Sequence, residues 1–197
     1  MNAYKKYSLY LILSLLLTTI GAFVGQYINP SIIGPFVFSS IILILIFAFA
    51  KGTFKIIMFI IFCFGEGLSL SLIISYYSAA TLSIALLVTL IITLIFVIIG
   101  FKTRDLGYLK SILFISLIAL LVLYIVSLFI PIPGLTYLGV VLFCAYISYD
   151  INRFKNRVAD GTIISNDDIL IEVMNLYIDI INLLIHILEI VNEFKDR

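Results

Sequence analysis

The chain has 197 residues, of which 63% are hydrophobic and 12% are charged, and its formal net charge at pH 7 is +1. A soluble domain carries about 25% charged residues, so this composition excludes an ordinary soluble fold. The nearly neutral charge, without a basic cluster beyond short loops, predicts that the chain has no nucleic-acid partner.

Three long stretches of the sequence are almost free of charge. Residues 7–50 and 111–149 contain no charged side chain, and residues 56–101 contain only Glu66. A helix needs about 20 residues to cross the hydrocarbon core, so each stretch is long enough for two spans. Because none alternates with period two, only helices satisfy their backbone groups in lipid. The pattern predicts an all-α membrane protein whose partner is the lipid bilayer.

Turn-forming residues divide each long stretch into two spans. The breaks are Asn29-Pro30 in the first stretch, Ser75 to Ser78 in the second and Pro131 to Gly134 in the third. Proline donates no backbone hydrogen bond, and glycine relaxes a turn. We therefore predict seven transmembrane helices in one polytopic domain, residues 1–197. In chain order the spans are about 8–28, 31–50, 54–76, 79–101, 108–130, 135–153 and 170–191.

The basic residues predict the orientation of the chain. Ten of the 12 Lys and Arg residues precede the first span or lie in or beside the loops after spans two, four and six. The positive-inside rule therefore places the N-terminus in the cytoplasm. Seven full crossings leave the C-terminus outside, and a re-entrant last segment is the alternative. Cys63 and Cys144 lie inside spans without a CxxC pair, which predicts small buried hydrophobes.

The last span carries a line of polar residues at steps of three and four. Such steps keep side chains on one face of a helix. Two arrangements tolerate this line: a helix lying at the membrane surface, or a crossing helix enclosed by the other spans. We favour the enclosed crossing because the line contains no Lys or Arg. Its members are Glu172, Asn175, Asp179, Asn182, His186, Glu189 and Glu193.

Asp179 is predicted to lie near the bilayer midplane, where a charge costs about 2.5–3.5 kcal/mol. Acids at such a depth tend to be protonated, paired or functional. Asp150, at the cytoplasmic end of the sixth span, is either the partner of Asp179 or a charge at a loop boundary.

Two segments resemble the C-terminal signature of the Bax-inhibitor family: Tyr-Asp-Ile-Asn at 149–152 and Leu-Tyr-Ile-Asp-Ile-Ile-Asn-Leu at 176–183. Residues 21–27 and 67–70 are similar to bacterial members. The resemblance implies seven helices with the C-terminal helix central and surrounded by the other six, in a bacterial plasma membrane. It also implies a calcium leak controlled by pH, with Asp150 and Asp179 as its latch. Lys51 stands where bacterial members have an arginine that supports the latch.

Physical chemistry makes such a latch reasonable. Two carboxyl groups in contact in a poorly solvated site share one proton and titrate as a coupled pair. Oxygen ligands also suit Ca²⁺, so Asp150 and Asp179 are predicted Ca²⁺ contacts. We expect no cofactor. Ca²⁺ is the expected permeating ion, and H⁺ is expected to bind the aspartates. The sequence identifies no protein partner. The candidate ion path comprises Glu66, Asn175, Asn182, His186 and Glu189.

Two path residues also have structural interpretations. Glu66 is either an acid on the ion route or a glutamate hydrogen-bonded to a neighbouring helix. His186 is either a pH sensor or, as is more usual for a lone histidine, a neutral hydrogen-bond partner.

Other functions fit parts of the pattern. An intramembrane aspartyl protease also uses two aspartates on adjacent helices, but its second aspartate follows Gly-x-Gly and here Asp179 follows Leu-Tyr-Ile. A proton-coupled transporter is disfavoured because no internal repeat is apparent. A membrane scaffold or regulator without transport activity stays open. The leading prediction is therefore a non-enzymatic leak channel.

Overall fold

The computed structural model describes residues 2–163 and 165–195, and it describes the side chains of these ranges except those at 35–39 and 41. Every regular element in the described ranges is a helix, which confirms the all-α prediction. In chain order the helices are α1 (Ala3–Gly25), α2 (Pro30–Phe49), α3 (Gly52–Ile74), α4 (Ala79–Lys102), α5 (Leu109–Ser127), α6 (Leu135–Ala159) and α7 (Asn166–Lys195).

Within the described residues, six helices are long and apolar enough to cross a membrane. They are α1, α3, α4, α5, α6 and α7. Large apolar side chains on α4 and α5, such as Leu87 and Ile115, are exposed, and none of the residues that the structure describes covers them. Lipid satisfies such surfaces, so the chain is an integral membrane protein. The helix α2 coincides with the second predicted span, and a count of exactly seven crossings stays a prediction.

The helices fall into two compact units. The first consists of Met1–Ser78 and Ile163–Tyr177, and in it α3 packs against α1 and α2. The second consists of Ala79–Thr162 and Ile178–Arg197, and in it α6 packs against α4 and α5. The helix α7 contributes its first part to one unit and its remainder to the other.

Glycines allow α1 and α3 to approach closely in the first unit. A Cβ atom on Gly21 would overlap the backbone of Phe64, and a Cβ atom on Gly67 would overlap the carbonyl oxygen of Thr18. Gly25 likewise faces Ser71 on α3. The Gly21-x-x-x-Gly25 spacing, which matches a packing motif of membrane helices, therefore does lie at a helix contact.

The same crossing carries a buried hydrogen-bond cluster. The Thr18 hydroxyl oxygen lies 2.6 Å from the hydroxyl oxygen of Tyr177 and 3.1 Å from the carbonyl oxygen of Cys63. Tyr177 is fully buried, and buried hydroxyl groups need a partner. The cluster therefore joins α1, α3 and the first part of α7.

Cys63 and Cys144 are both free and buried, as predicted.

The start of α7 is fixed by side chains. The Ser165 amide donates to Asp168 Oδ2 (2.9 Å), and the Asp168 amide donates to Ser165 Oγ (3.2 Å), so the two residues cap the helix reciprocally. Lys6 Nζ donates to Asn166 Oδ1 (2.6 Å), and the Gly52 amide donates to Asp167 Oδ2 (2.9 Å). The start of α7 is thereby joined to α1 and α3.

The helix α7 is packed on its apolar and polar sides alike. Leu176, Leu183 and Leu188 are 0% exposed, while Glu172 is 1% exposed and Asp179 is 6% exposed. A surface helix would leave one of these sides in contact with lipid or water. The burial agrees with an enclosed helix and disagrees with the surface alternative.

Candidate functional site

The orientation of α6 determines which of its residues face away from α4. Gly100 of α4 lies against the carbonyl of Ser148, and the Ser148 hydroxyl donates to the carbonyl oxygen of Phe96 (2.8 Å). A helix turns by about 100° per residue, so positions two residues from Ser148 point nearly to the opposite side. Asp150 is one of these, and it therefore faces away from α4.

Asp150 on α6 and Asp179 on α7, together the aspartate pair, meet in the second unit. Asp150 is 3% exposed and Asp179 is 6% exposed, and their carboxyl groups lie within electrostatic and hydrogen-bonding reach of each other. Asp179 Oδ2 is buried and receives no hydrogen bond from an N–H or hydroxyl donor among the described residues. Two ionised carboxylates have no proton to donate, so a hydrogen bond between these two groups would require one shared proton.

The helix ends explain how the two acids reach each other. The sixth helix extends to Ala159, beyond the predicted end of its span at 153, and α7 begins at Asn166, before the predicted start at 170. Asp150 and Asp179 thus lie nine and thirteen residues inside their own helices. At about 1.5 Å per residue these depths differ by about 6 Å, or roughly one turn. The shorter predicted spans implied a difference of two turns.

Arg153 is the charged neighbour that sequence reasoning missed. Its Nη1 atom lies 3.4 Å from Asp150 Oδ1, and its side chain is 30% exposed. Its guanidinium carbon also lies 5.5 Å from the ring centre of Tyr149. The signal was present in the sequence, because residues three apart on a helix are neighbours. Tyr146, one turn before Asp150, is a further group within electrostatic reach of the aspartate pair.

Three predicted site residues belong to the first unit. Lys51 is exposed at the start of α3, and its predicted role as latch support stays a prediction. Glu66 is half-buried, and its carboxyl group is hydrogen-bonded to Ser40 of α2, as the structural interpretation of this acid expects. Asn175 is half-buried on α7.

The remaining path residues follow the aspartate pair along α7. Asn182 is half-buried, and its side-chain amide donates to the carbonyl oxygen of Ile178 (2.9 Å), so it bonds within its own helix. Glu189 is exposed, and its Oε2 atom accepts a hydrogen bond from Thr136 of α6 (3.0 Å). Both residues keep oxygen atoms that can accept further bonds.

His186 joins three helices in the second unit. Its Nε2 atom lies 2.9 Å from the Tyr124 hydroxyl of α5, and its Nδ1 atom lies 2.8 Å from the carbonyl oxygen of Asn182. The ring packs edge to face on Phe143 of α6, with centroids 5.4 Å apart. It also lies so close to Gly139 that a Cβ atom there would overlap it. This geometry matches the hydrogen-bond partner interpretation of His186.

We expect His186→Phe to destabilise the protein. Phenylalanine keeps a ring against Gly139 but makes neither hydrogen bond, so the Tyr124 hydroxyl and the Asn182 carbonyl each lose their bond to the imidazole. The cost is about 1–3 kcal/mol, measured as unfolding in detergent micelles. Thr136→Val, which removes only an exposed hydrogen bond, serves as the control and should change stability by less than about 0.5 kcal/mol. Equal stability of the His186 variant and the parent would show that these bonds contribute nothing.

A model of the family described as Inhibitor of apoptosis-promoting Bax1 matches residues 2–196 of the chain. The chain belongs to this family. The match covers both units and α1 to α7 in full, and it confirms the resemblance that the C-terminal motifs suggest. In this member of the Bax-inhibitor family, the two motif aspartates on α6 and α7 lie close to each other.

The aspartate pair supplies few ligands for a bound cation. No group of three or more His, Cys, Asp or Glu side chains that could hold a metal ion occurs within 2–163 and 165–195. A bound Ca²⁺ takes six to eight oxygen ligands, whereas the pair supplies two carboxyl groups. Water must therefore supply much of the coordination of any Ca²⁺ ion that contacts Asp150 and Asp179.

Proposed function

We propose that this member of the Bax-inhibitor family is a pH-sensitive calcium leak channel, gated by the proton that Asp150 and Asp179 share. The observation that carries the proposal is the proximity of these two buried carboxyl groups, one on α6 and one on α7. We further propose a single domain of seven transmembrane helices, with α7 central and surrounded by the others. The N-terminus lies in the cytoplasm and the membrane is a bacterial plasma membrane.

The gate works through the occupancy of the shared proton. While one carboxyl group donates to the other, the bond holds α6 against α7. When both groups are ionised the bond is lost and like charges face each other, so the two helices favour a different arrangement. Proton binding therefore shifts the equilibrium between two conformations. The size of the shift is limited by the difference between the proton affinities of these two conformations.

The ion path follows the polar face of α7. Once the aspartate pair is ionised, its oxygen atoms favour a divalent cation, and Asn182 and Glu189 offer further oxygen ligands along the same helix. Glu66 and Asn175 are the candidates on the path in the first unit. None of these groups forms a closed cage, as conduction requires ligands that release the ion again.

Reconstitution tests this function. Purified protein in liposomes that contain a calcium indicator should produce a calcium leak whose rate changes with pH. Asp150→Asn and Asp179→Asn should each abolish most of that change, because an amide can bond the remaining carboxyl group in both of its protonation states and carries no like charge to repel it. Asp105→Asn makes the same chemical change at an exposed acid in the turn before α5 and should behave like the parent.

The outcomes separate the alternatives. A leak with unchanged pH dependence in both aspartate variants contradicts the gate. Absence of any leak in the parent contradicts the channel and leaves a membrane scaffold or regulator. Cleavage of a membrane-spanning peptide by the parent, lost in Asp150→Asn and Asp179→Asn, identifies an intramembrane aspartyl protease instead.

A further inference from the structure

Asn152 lies two residues after Asp150 and makes a complete set of hydrogen bonds. Its Nδ2 atom donates to the carbonyl oxygens of Gly100 (3.0 Å) and Thr103 (2.7 Å). Its Oδ1 atom accepts from the Leu106 amide (2.9 Å) and from Asn156 Nδ2 (3.2 Å). A carboxamide has two donor hydrogens and two acceptor lone pairs, so these four bonds use its full capacity. Asn152 is 1% exposed, which makes each bond expensive to lose.

Through these bonds, a side chain of α6 caps the C-terminal end of α4. The last carbonyl groups of a helix have no partner within it, and α4 ends at Lys102. Asn152 satisfies the carbonyl groups of Gly100 and Thr103 and also holds the amide of Leu106, in the turn that follows. One α6 side chain therefore holds both the helix end and the turn. A rotation of α6 would break several of these bonds at once.

The bonds on this side of α6 determine what faces the other side. Two residues along a helix correspond to a rotation of about 200°, so Asp150 points away when Asn152 points to α4. Gly100 strengthens the constraint, because its missing Cβ lets α4 contact the Ser148 carbonyl and Ile151 directly. We propose that Asn152 is a positioning residue, which sets the rotation of α6 that keeps Asp150 against Asp179.

The relevance of this role to calcium release rests on the proposed function, whereas the positioning itself concerns only the aspartate pair. The titratable or charged groups beside the pair are Tyr146, Tyr149 and Arg153. A substitution at Asn152 changes none of these groups. Any change in the titration of the pair must then arise from the position of α6.

The test compares Asn152→Ala with Asn156→Ala in the full chain. Asn156 lies one helical turn further along α6, and its amide donates to the Arg104 carbonyl (3.3 Å) and to Asn152 Oδ1 (3.2 Å). Asn156→Ala serves as the control because it leaves all three bonds from Asn152 to the α4 end and the following turn in place. Infrared difference spectra between acidic and neutral pH report the C=O stretch of the protonated carboxyl group. The band of the pair is the one that Asp179→Asn removes. We expect Asn152→Ala to shift the pH at which this band has half its intensity by about one unit or more. Asn156→Ala should shift the same midpoint by less than about 0.3 pH units.

The outcomes are separable from those of the calcium assay, because the infrared band requires no ion flux. A parent that titrates but does not leak contradicts the channel and leaves the positioning test intact. If Asn152→Ala titrates like the parent, the inference is overturned. It is also overturned if both variants shift equally, since that result indicates only general support of α4. Should Asn152→Ala not fold, Asn152→Ser keeps one donor and should give a smaller shift in a folded protein.

Discussion

Gly67→Ala is expected to destabilise the protein by about 3 kcal/mol, the upper part of the usual range for an overpacked core. The added methyl group would overlap the carbonyl oxygen of Thr18 and would lie 2.9 Å from the Gly21 Cα atom and the Ala22 amide nitrogen. These neighbours are backbone atoms of α1, so no side-chain rotation can relieve the contact. The two helices must move apart, so the midpoint temperature of thermal unfolding in detergent should fall by about 6–12 °C.

Gly65→Ala is the matched control for this prediction. Gly65 lies in the same helix, two residues away, and a Cβ atom there would meet no atom within 4 Å. Alanine is favoured over glycine in a helix by about 1 kcal/mol, so this variant should be as stable as the parent or slightly more stable. A Gly67 variant with the unfolding temperature of the Gly65 variant would contradict the close approach of α1 and α3.

The positions of the helices could be predicted from the sequence because lipid imposes a simple requirement. A span must be long, apolar and internally hydrogen-bonded, and all seven predicted spans coincide with helices. The ends were harder to predict. The charges of Arg153 and Lys155 suggest a loop, but charged residues are good helix formers in water, so α6 continues past the apolar region to Ala159.

The proximity of Asp150 and Asp179 was one of two interpretations that the sequence left open, because an unpaired acid in lipid is expensive and Asp150 also stands at a loop boundary. The details of their surroundings could not be predicted. The family motif directs attention to Lys51, whereas Arg153 ion-pairs with Asp150 from one turn along α6. The role of Asn152 depends on the end of α4, more than forty residues earlier, and no local pattern reports that contact. The periodicity of a helix identifies a face but not the helix that it contacts.

Arg153→Gln is expected to move the pH response of the calcium leak to higher pH by about one unit. The guanidinium lies 3.4 Å from Asp150 Oδ1 and favours the ionised form of the aspartate pair. Without it, the shared proton is released less readily, so its loss requires a higher pH. Full Coulomb energy at this separation would predict a larger change, but the side chain is 30% exposed and water screens part of the interaction.

Two further variants show whether charge or shape is responsible. Arg153→Lys keeps the positive charge without the planar fork and should move the midpoint by less than half as much as Arg153→Gln. Arg104→Gln removes the same charge from an exposed position in the α4–α5 turn and should leave the midpoint unchanged. A midpoint equal to that of the parent in Arg153→Gln would mean that the ion pair with Asp150 does not influence the proton of the gate. A shift in the lysine variant as large as in the glutamine variant would assign the effect to the bond geometry of Arg153, because the charge would then be insufficient.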